Sequence, residues 1–403
     1  IGDFVTISGA VSLGGNITAT VLNQEHQITA VPSSNTYTFT ASATANSSDT
    51  GNGGSGVDGA YQLNVGLDVF IASTGWSAGA WGEGTFGSVS PLSFATQLRL
   101  WSHDNFGEDL IINARGGGVF YWDTSTGTST RAVALPDLSG ANLAPTVALQ
   151  VLVSDIDRHV ICFGADPIEG GARSGTSDPL LIAFSDQEDV TQWEPLPTNT
   201  AGSLRLSSGS LIIGAIRARQ ETLVWTDTAL YSLSFIGQPF TFGVNLINEG
   251  ISMISPNAAV NTTKGIFWMD KKGFYVYTGR VATVPCSVLD YVFSDMNISQ
   301  SFQVFGFSNK AFDEVGWFYC SSGVTNIDRY VVYNYEENVW SIGQLSRNAW
   351  LDEGTLDNPI ATHEISTNSS CVFNHEVGHD DNGSAMQNVF IESSDFDIGE
   401  GDF

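Results

Sequence analysis

The stretch with the most explicit chemistry is His375-Glu376-Val377-Gly378-His379. It fits H-E-x-x-H, in which two histidines one helical turn apart bind zinc and the glutamate acts as general base. That chemistry needs a helix. Gly378 interrupts the motif, Asp380-Asp381-Asn382-Gly383 follows at once, and Ser369, Ser370 and Asn374 precede it. In an extended chain the two imidazoles lie about 13 Å apart, at ~3.3 Å per residue. They cannot share a metal whose bonds are about 2.1 Å long. The longer form of the motif wants a third histidine where Ala385 stands. His26, His103, His159 and His363 form no motif, and nothing marks out Glu392 or Glu400 as a distant ligand. The five residues are expected to end a strand ahead of a tight Asp-Asn-Gly turn. The sequence points to no catalytic residue, no metal and no cofactor.

Carboxylates are the other abundant chemical group. Five segments share a plan of apolar or aromatic strand, polar turn with an acid, and usually a second strand: GVFYWDTSTG, LLIAFSDQEDVTQW, TLVWTDTALYSLS, GIFWMDKKGFYVYTG and YVVYNYEENVWSIG. Their turn acids are Asp123, Asp186, Asp227, Asp270 and Glu336. SSCVFNHEVGHDDNG aligns with the last segment as a sixth copy and adds Glu376. These six are candidate turn or rim acids. Asp155/Asp157 and Asp380/Asp381 lack an EF-hand pattern and read as solvated turns. Cys162, Cys286, Cys320 and Cys371 are far apart and read as buried thiols. No P-loop, G-x-S-x-G or dinucleotide fingerprint is present.

The elements that position these groups are strands. Helical periodicity is almost absent, glycine is abundant (43 of 403 residues), and short β-branched and aromatic runs alternate with turn residues. Residues 1–43 read as a small β domain, inserted or appended. Residues 44–94 read as a Gly/Ser/Trp-rich linker with partial strands. Residues 95–403 read as a β-propeller-like domain, because small sheets recurring every 40–65 residues bury both faces only by radial stacking. The fold class is therefore all-β, a propeller-like core of short antiparallel sheets with an additional small β domain. The chain opens on Ile1, which reads as a processed or excerpted chain.

Charge excludes whole classes of function. There are 43 acidic and 15 basic residues, a formal net charge of −28, and the lysines are Lys264, Lys271, Lys272 and Lys310 alone. Phosphate backbones are held by clustered Lys and Arg, so a sequence-reading nucleic-acid binder is excluded. A wall past which DNA slides without sticking is not. No apolar run approaches the roughly 18–20 residues of a membrane helix.

Several stretches resemble the tail nozzle proteins of short-tailed bacteriophages, also called tail tubular protein B or phage stabilisation proteins. They are LIAFSDQEDVTQWEPLP, the stretch 211–280 with its W-T-D turn, G-I-S-x-x-S-P corner and F-W-M-D strand, and NHEVGHDDNGSAMQNVFIESSDFDIGEGD. LRLWSHDNFGEDLIINARGGGVFYWDT is similar to segments of marine phage structural proteins. The resemblance covers 95–403. It implies a ring, usually of six subunits, at the distal end of a virion tail, below a tail adaptor protein and bearing fibres or spikes. It implies passage of double-stranded DNA without specific binding, no membrane insertion and no active site. The acidic composition agrees independently, since repulsion keeps a passing polyanion from adhering.

The alternative is a glycan-degrading or glycan-binding propeller. Ser185-Asp186 through Thr191-Gln192-Trp193 resembles the sialidase Asp-box, although its spacing differs and its turn glycine is missing. A glycosidase predicts two or three carboxylates converging in one pocket with Arg or Tyr nearby. An adhesion module predicts a groove of exposed tryptophans such as Trp76 and Trp81.

Overall fold

The middle strands dictate the architecture. Val160–Phe163, Leu181–Phe184, Thr222–Thr226 and Gly265–Met269 are apolar or buried along nearly their whole length. A strand covered on one side alternates; a strand apolar on both sides must be covered on both. Small sheets stacked face to face around an axis supply that cover.

The computed structural model describes residues 3–33, 35–50, 52–62, 66–67, 69–70, 98–154, 157–352, 357–366, 369–381 and 383–385. Among them, six sheets follow one another as blades. Blade one is Trp101–Phe106, Asp109–Ala114, Val119–Trp122 and Val133–Ala134. Blade two is Gln150–Val153, Val160–Phe163, Leu181–Phe184 and Gly202–Arg205. Blade three is Ile212–Arg217, Thr222–Thr226, Ala229–Gly237 and Thr241–Glu249. Blade four is Ala259–Thr262, Gly265–Met269, Phe274–Tyr277 and Val281–Val284. Blade five is Phe305–Asn309, Glu314–Tyr319, Arg329–Asn334 and Val339–Gln344. Blade six has three strands, Ala349–Leu351, Ile360–Ser366 and Ser369–Asn374. Each is an antiparallel meander in sequence order. The first strands of successive blades lie side by side from blade one to blade six. That is a β-propeller, with first strands around the axis and fourth strands at the rim. The rim strands show it in their burial: Gly202–Arg205 and Val339–Gln344 are partly exposed throughout.

The core sits between blades. One apolar cluster fills the space between blades one and two, another between two and three, a large one runs through three to five, and another joins five to six. The second strands of blades three, four and five each carry a fully buried tryptophan: Trp225, Trp268 and Trp317. Trp225 and Trp268 meet edge to face at 5.2 Å. Trp317 lies 4.8 Å from Phe274 of blade four. Gly306 is needed beside it, because a Cβ there would come within 2.3 Å of Val260 of blade four.

Among the described residues no sheet takes strands from two blades, so side chains tie the first strands together, beside single backbone bonds such as that from the Gly306 amide to the Asn257 carbonyl at 2.8 Å. Ser102 and Asp104 of blade one accept from the Val151 and Val153 amides of blade two, at 3.0 and 2.8 Å. Gln150 of blade two exchanges two bonds with the Ala215 backbone of blade three, at 2.7 and 2.8 Å. Arg217 of blade three reaches Asp104 of blade one at 3.1 Å. Asn261 of blade four donates to the Arg217 carbonyl at 3.0 Å. Arg115 is buried and donates to Leu149 and Ile212 carbonyls, bridging blades two and three; burial pushes its guanidinium down to about 10.

The N-terminal sheet corrects one boundary. Thr36–Phe39, Glu25–Ser33 and Phe4–Ser8 form three of its strands, and Asp58–Gln62 is the fourth. The sequence places 58–62 in the stretch of linker and partial strands that follows residue 43, outside the small β domain. Phe4–Ser8 needs a partner on its open edge, and the Tyr61 hydroxyl donates to Asp3 at 2.5 Å. All five residues are exposed, so no apolar pattern announced the strand. The Trp76 and Trp81 stretch, Asp155, and the I-E-S-S-x-x-D-I-G-x-G run lie outside the described residues.

Candidate functional site

In a meander the turns after first and third strands lie on one face, and those after second strands lie on the other. Asp123, Asp186, Glu336 and Glu376 follow third strands. Asp227 and Asp270 follow second strands. The six acids therefore make no common rim. The five similar segments are out of phase with one another: two begin on a second strand and three end or turn on a third.

Each acid has a local task. Asp123 accepts from the Ser125 amide at 2.8 Å and caps a short 3-10 turn. Asp186 accepts from the Thr200 amide and hydroxyl and the Gln187 amide, at 2.8, 2.5 and 2.9 Å. Trp193, the end of the Asp-box-like segment, is fully buried. Asp270 is 7% exposed, and burial raises its carboxyl above the usual range against the pull of the Lys271 amide. Glu336 pairs with Lys264 at 2.8 Å in the open.

Asp227 accepts from the Ser210 amide at 2.7 Å, the Ser210 hydroxyl at 2.5 Å and the Leu211 amide at 3.4 Å. Burial pushes its carboxyl up, but these bonds outweigh it and hold the pKa below the usual value. A carboxylate with a depressed folded pKa stabilises above its unfolded pKa and loses that contribution as pH falls through the folded value. Asp227→Asn is expected to cost about 1–2 kcal/mol at pH 7. The gap from wild type should narrow progressively as the pH falls below the usual carboxylate value in paired urea titrations. A gap that does not change with pH would contradict the assignment.

Asp157 is not the solvated turn residue the sequence suggested. It is 2% exposed and lies 2.7 Å from His159 Nδ1, itself fully buried. His159 Nε2 meets the Thr200 hydroxyl at 2.9 Å. The order Asp-His-Thr has the outline of a nucleophilic triad. However, the Thr200 hydroxyl already donates to Asp186 and receives the Gln187 amide at 3.0 Å. Nε2 is therefore a donor, and the cluster ties the turn ahead of Val160–Phe163 to the segment ahead of Gly202–Arg205. Only Cys162 and Cys320 are buried; Cys286 is partly exposed and Cys371 exposed, against the reading of four buried thiols. Burial pushes the Cys162 and Cys320 thiols up.

The HEVGH segment is a bend. The strand ends at Asn374, Glu376 has φ +59° and Gly378 φ +80°. Asp381 pairs with Ser384 across the following turn, where Gly383 donates to Asp380 at 2.7 Å. Asn374 and Asn334 both end third strands, so this segment and YVVYNYEENVWSIG are in phase. The bend forms one side of a cleft of about 530 Å³ between blades five and six. Phe307, Phe318, Tyr330, Trp350 and Phe373 supply aromatic surface. Glu314, Glu376 and Asp380 supply carboxylates, and Asn309, Ser341, Arg347, Asn374 and His375 are further polar residues of the lining. The Asn309 amide donates to Glu376 at 3.1 Å. Arg347 is 4% exposed, donates to His375 Nε2 at 2.9 Å and stacks on Phe373 at 4.4 Å. Trp350 lies against His375 at 4.4 Å. Burial and then the nearby Glu376 charge raise the Glu314 carboxyl above its usual range. Of the six candidate acids, Glu376 alone lines the cleft. Glu314 went unnoticed in the sequence because it opens a strand rather than closing one.

No family model matches the chain, and no curated protein matches it. Solved structures similar to it are propellers of unrelated sequence. Kluyveromyces lactis Hsv2 shares 10% identity over 72% of this chain and 78% of that one, with a TM-score of 0.38. Dihydro-heme d1 dehydrogenase NirN shares 10% over 70% and 55%, with 0.40. The computationally designed Ika8 protein shares 11% over 66% and 68%, with 0.38. The likeness is one of fold alone.

Proposed function

We propose that this chain is a structural subunit of the distal nozzle of a short phage tail, which forms a ring with copies of itself and gates and guides DNA during ejection. The observation that carries the reading is where the resemblance falls. The stretch 211–280 coincides with blade three whole and the first three strands of blade four. The likeness in this stretch therefore runs over seven consecutive strands and stops before the fourth strand of blade four.

The conduit is not the propeller axis. Asp104, Gln150, Arg115 and Arg217 crowd the first strands with bonds from blade to blade. B-form DNA, whose major groove alone is about 12 Å wide, needs a channel between subunits. The long hairpin of blade three offers apolar surface for assembly. Its two strands have nine residues each, and Ile236 and Phe240 at its end are 57% and 71% exposed. Mass photometry followed by electron microscopy of the purified chain tests the reading. A closed ring with an open acidic centre is expected; a monomer at all assembly concentrations would sink it. The glycan-acting alternative is favoured by the carboxylates, Tyr330 and Arg347 of the cleft. Release of reducing ends from host polysaccharide would establish it.

A further inference from the structure

We infer that copies of this chain join head to tail, with Phe240 at the tip of the blade-three hairpin seated in a hollow between blades one and two of the next copy. The inference rests on the ring reading above and names the two surfaces that make the contact. The hairpin supplies the knob. The second strand of blade three pairs with residues 230–233 alone, so residues 234–237 and their partners run past the sheet. Phe240 is 71% exposed, and Phe235 lies against Phe242 at 5.7 Å, which fixes the shape of the tip before any contact is made. From Ala229 to Asn248 there is no Asp, Glu, Lys or Arg. Copies that each carry a net charge of −28 repel one another. Screening confines that repulsion to about 8 Å at physiological salt, so copies meet where charge is locally absent.

The hollow holds about 240 Å³, below the ~300–1,000 Å³ of most small-molecule sites, and suits a single side chain. Pro136, Ala141, Leu143, Ala144 and Ala172 give it carbon walls. Thr146 and Arg173 are its polar residues, and its lining has no carboxylate. Arg173 is held in place by its bonds to the Leu143 and Asp166 carbonyls, at 2.7 and 2.6 Å. A fixed guanidinium beside carbon walls favours an aromatic knob over an aliphatic one. Position sets the sense of the contact. The hairpin turn follows a third strand, whereas the hollow is built by the connection leaving a fourth strand and by the small hairpin after the second strand of blade two. Knob and hollow therefore lie on opposite faces of one propeller. A contact between unlike surfaces repeats from copy to copy and gives a closed ring or a filament. The larger cleft between blades five and six fits the knob less well, because an uncharged tip there strips water from Glu314, Glu376 and Asp380 without replacing it.

Sedimentation velocity of the whole chain tests this with two complementary variants. Phe240→Asp spoils the knob and keeps the hollow; Ala172→Trp fills the hollow and keeps the knob. Both positions are exposed, so neither change is expected to move the urea midpoint. Each variant alone is expected to assemble only at a concentration ~30-fold higher or more. Mixed in equal amounts they are expected to form a dimer and nothing larger, because one intact knob meets one intact hollow. A wild-type ring that either variant leaves intact would overturn this inference while the ring reading stands. A mixture that stays as monomeric as its two parts would also overturn it. A wild type that is itself a monomer sinks both readings together.

Discussion

Trp317→Ala is expected to destabilise the protein by about 3–5 kcal/mol. The indole is fully buried, lies 4.8 Å from Phe274 and 6.4 Å from Trp340, and its Nε1 donates to the Ala258 carbonyl at 2.8 Å. The variant leaves a cavity between blades four and five and leaves the Ala258 carbonyl with the longer bond from the Met269 amide, at 3.4 Å, alone. Gly306 and Val260 already touch there, so backbone collapse into the space is limited. Chemical denaturation measures the loss. Trp101→Ala is the control, since Trp101 is 44% exposed and its removal is expected to fall within about 0.5 kcal/mol. Similar losses for the two variants would mean that blade stacking does not hold this fold.

Asp104→Ala is expected to cost about 3 kcal/mol. Asp104 is 8% exposed and accepts from the Val153 and Asn105 amides, at 2.8 and 2.9 Å, besides the Arg217 guanidinium. The variant strips blade two of a partner for its first strand and leaves Arg217 beside the axis with its carboxylate gone. Arg217 is 35% exposed on its side chain, which lets water recover part of the loss. Asp104→Asn keeps the acceptor for the Val153 amide and removes the charge, so it should fall between Ala and wild type. If Asn is as damaging as Ala, the ion pair outweighs the amide bond. If both are neutral, the first strands are held by packing alone.

The sequence by itself determined that this chain is all-β and that its sheets must stack. Runs such as LIAF and TLVWT are apolar on both faces, and only neighbouring sheets can cover both. It also determined that HEVGH would not make a helix, because Gly378 and the Asp-Asp-Asn-Gly turn oppose one. Local chemistry carried that information, and it was legible. Phase within the repeat was not. Second and third strands of a stacked blade are equally apolar, so TLVWTD and YVVYNYEE looked alike although their acids lie on opposite faces.

Tertiary structure alone decided which groups meet. Asp104 and Arg217 are 113 residues apart, and Asn309 and Glu376 are 67 apart. Nothing in the spacing of either pair marks it. The edge strand Asp58–Gln62 was equally silent, since an exposed strand is fixed by the backbone edge it covers rather than by its side chains. The cleft is the clearest case. Its acceptors come from the first turn of blade five and the last bend of blade six, and only closing one blade against the next brings them together.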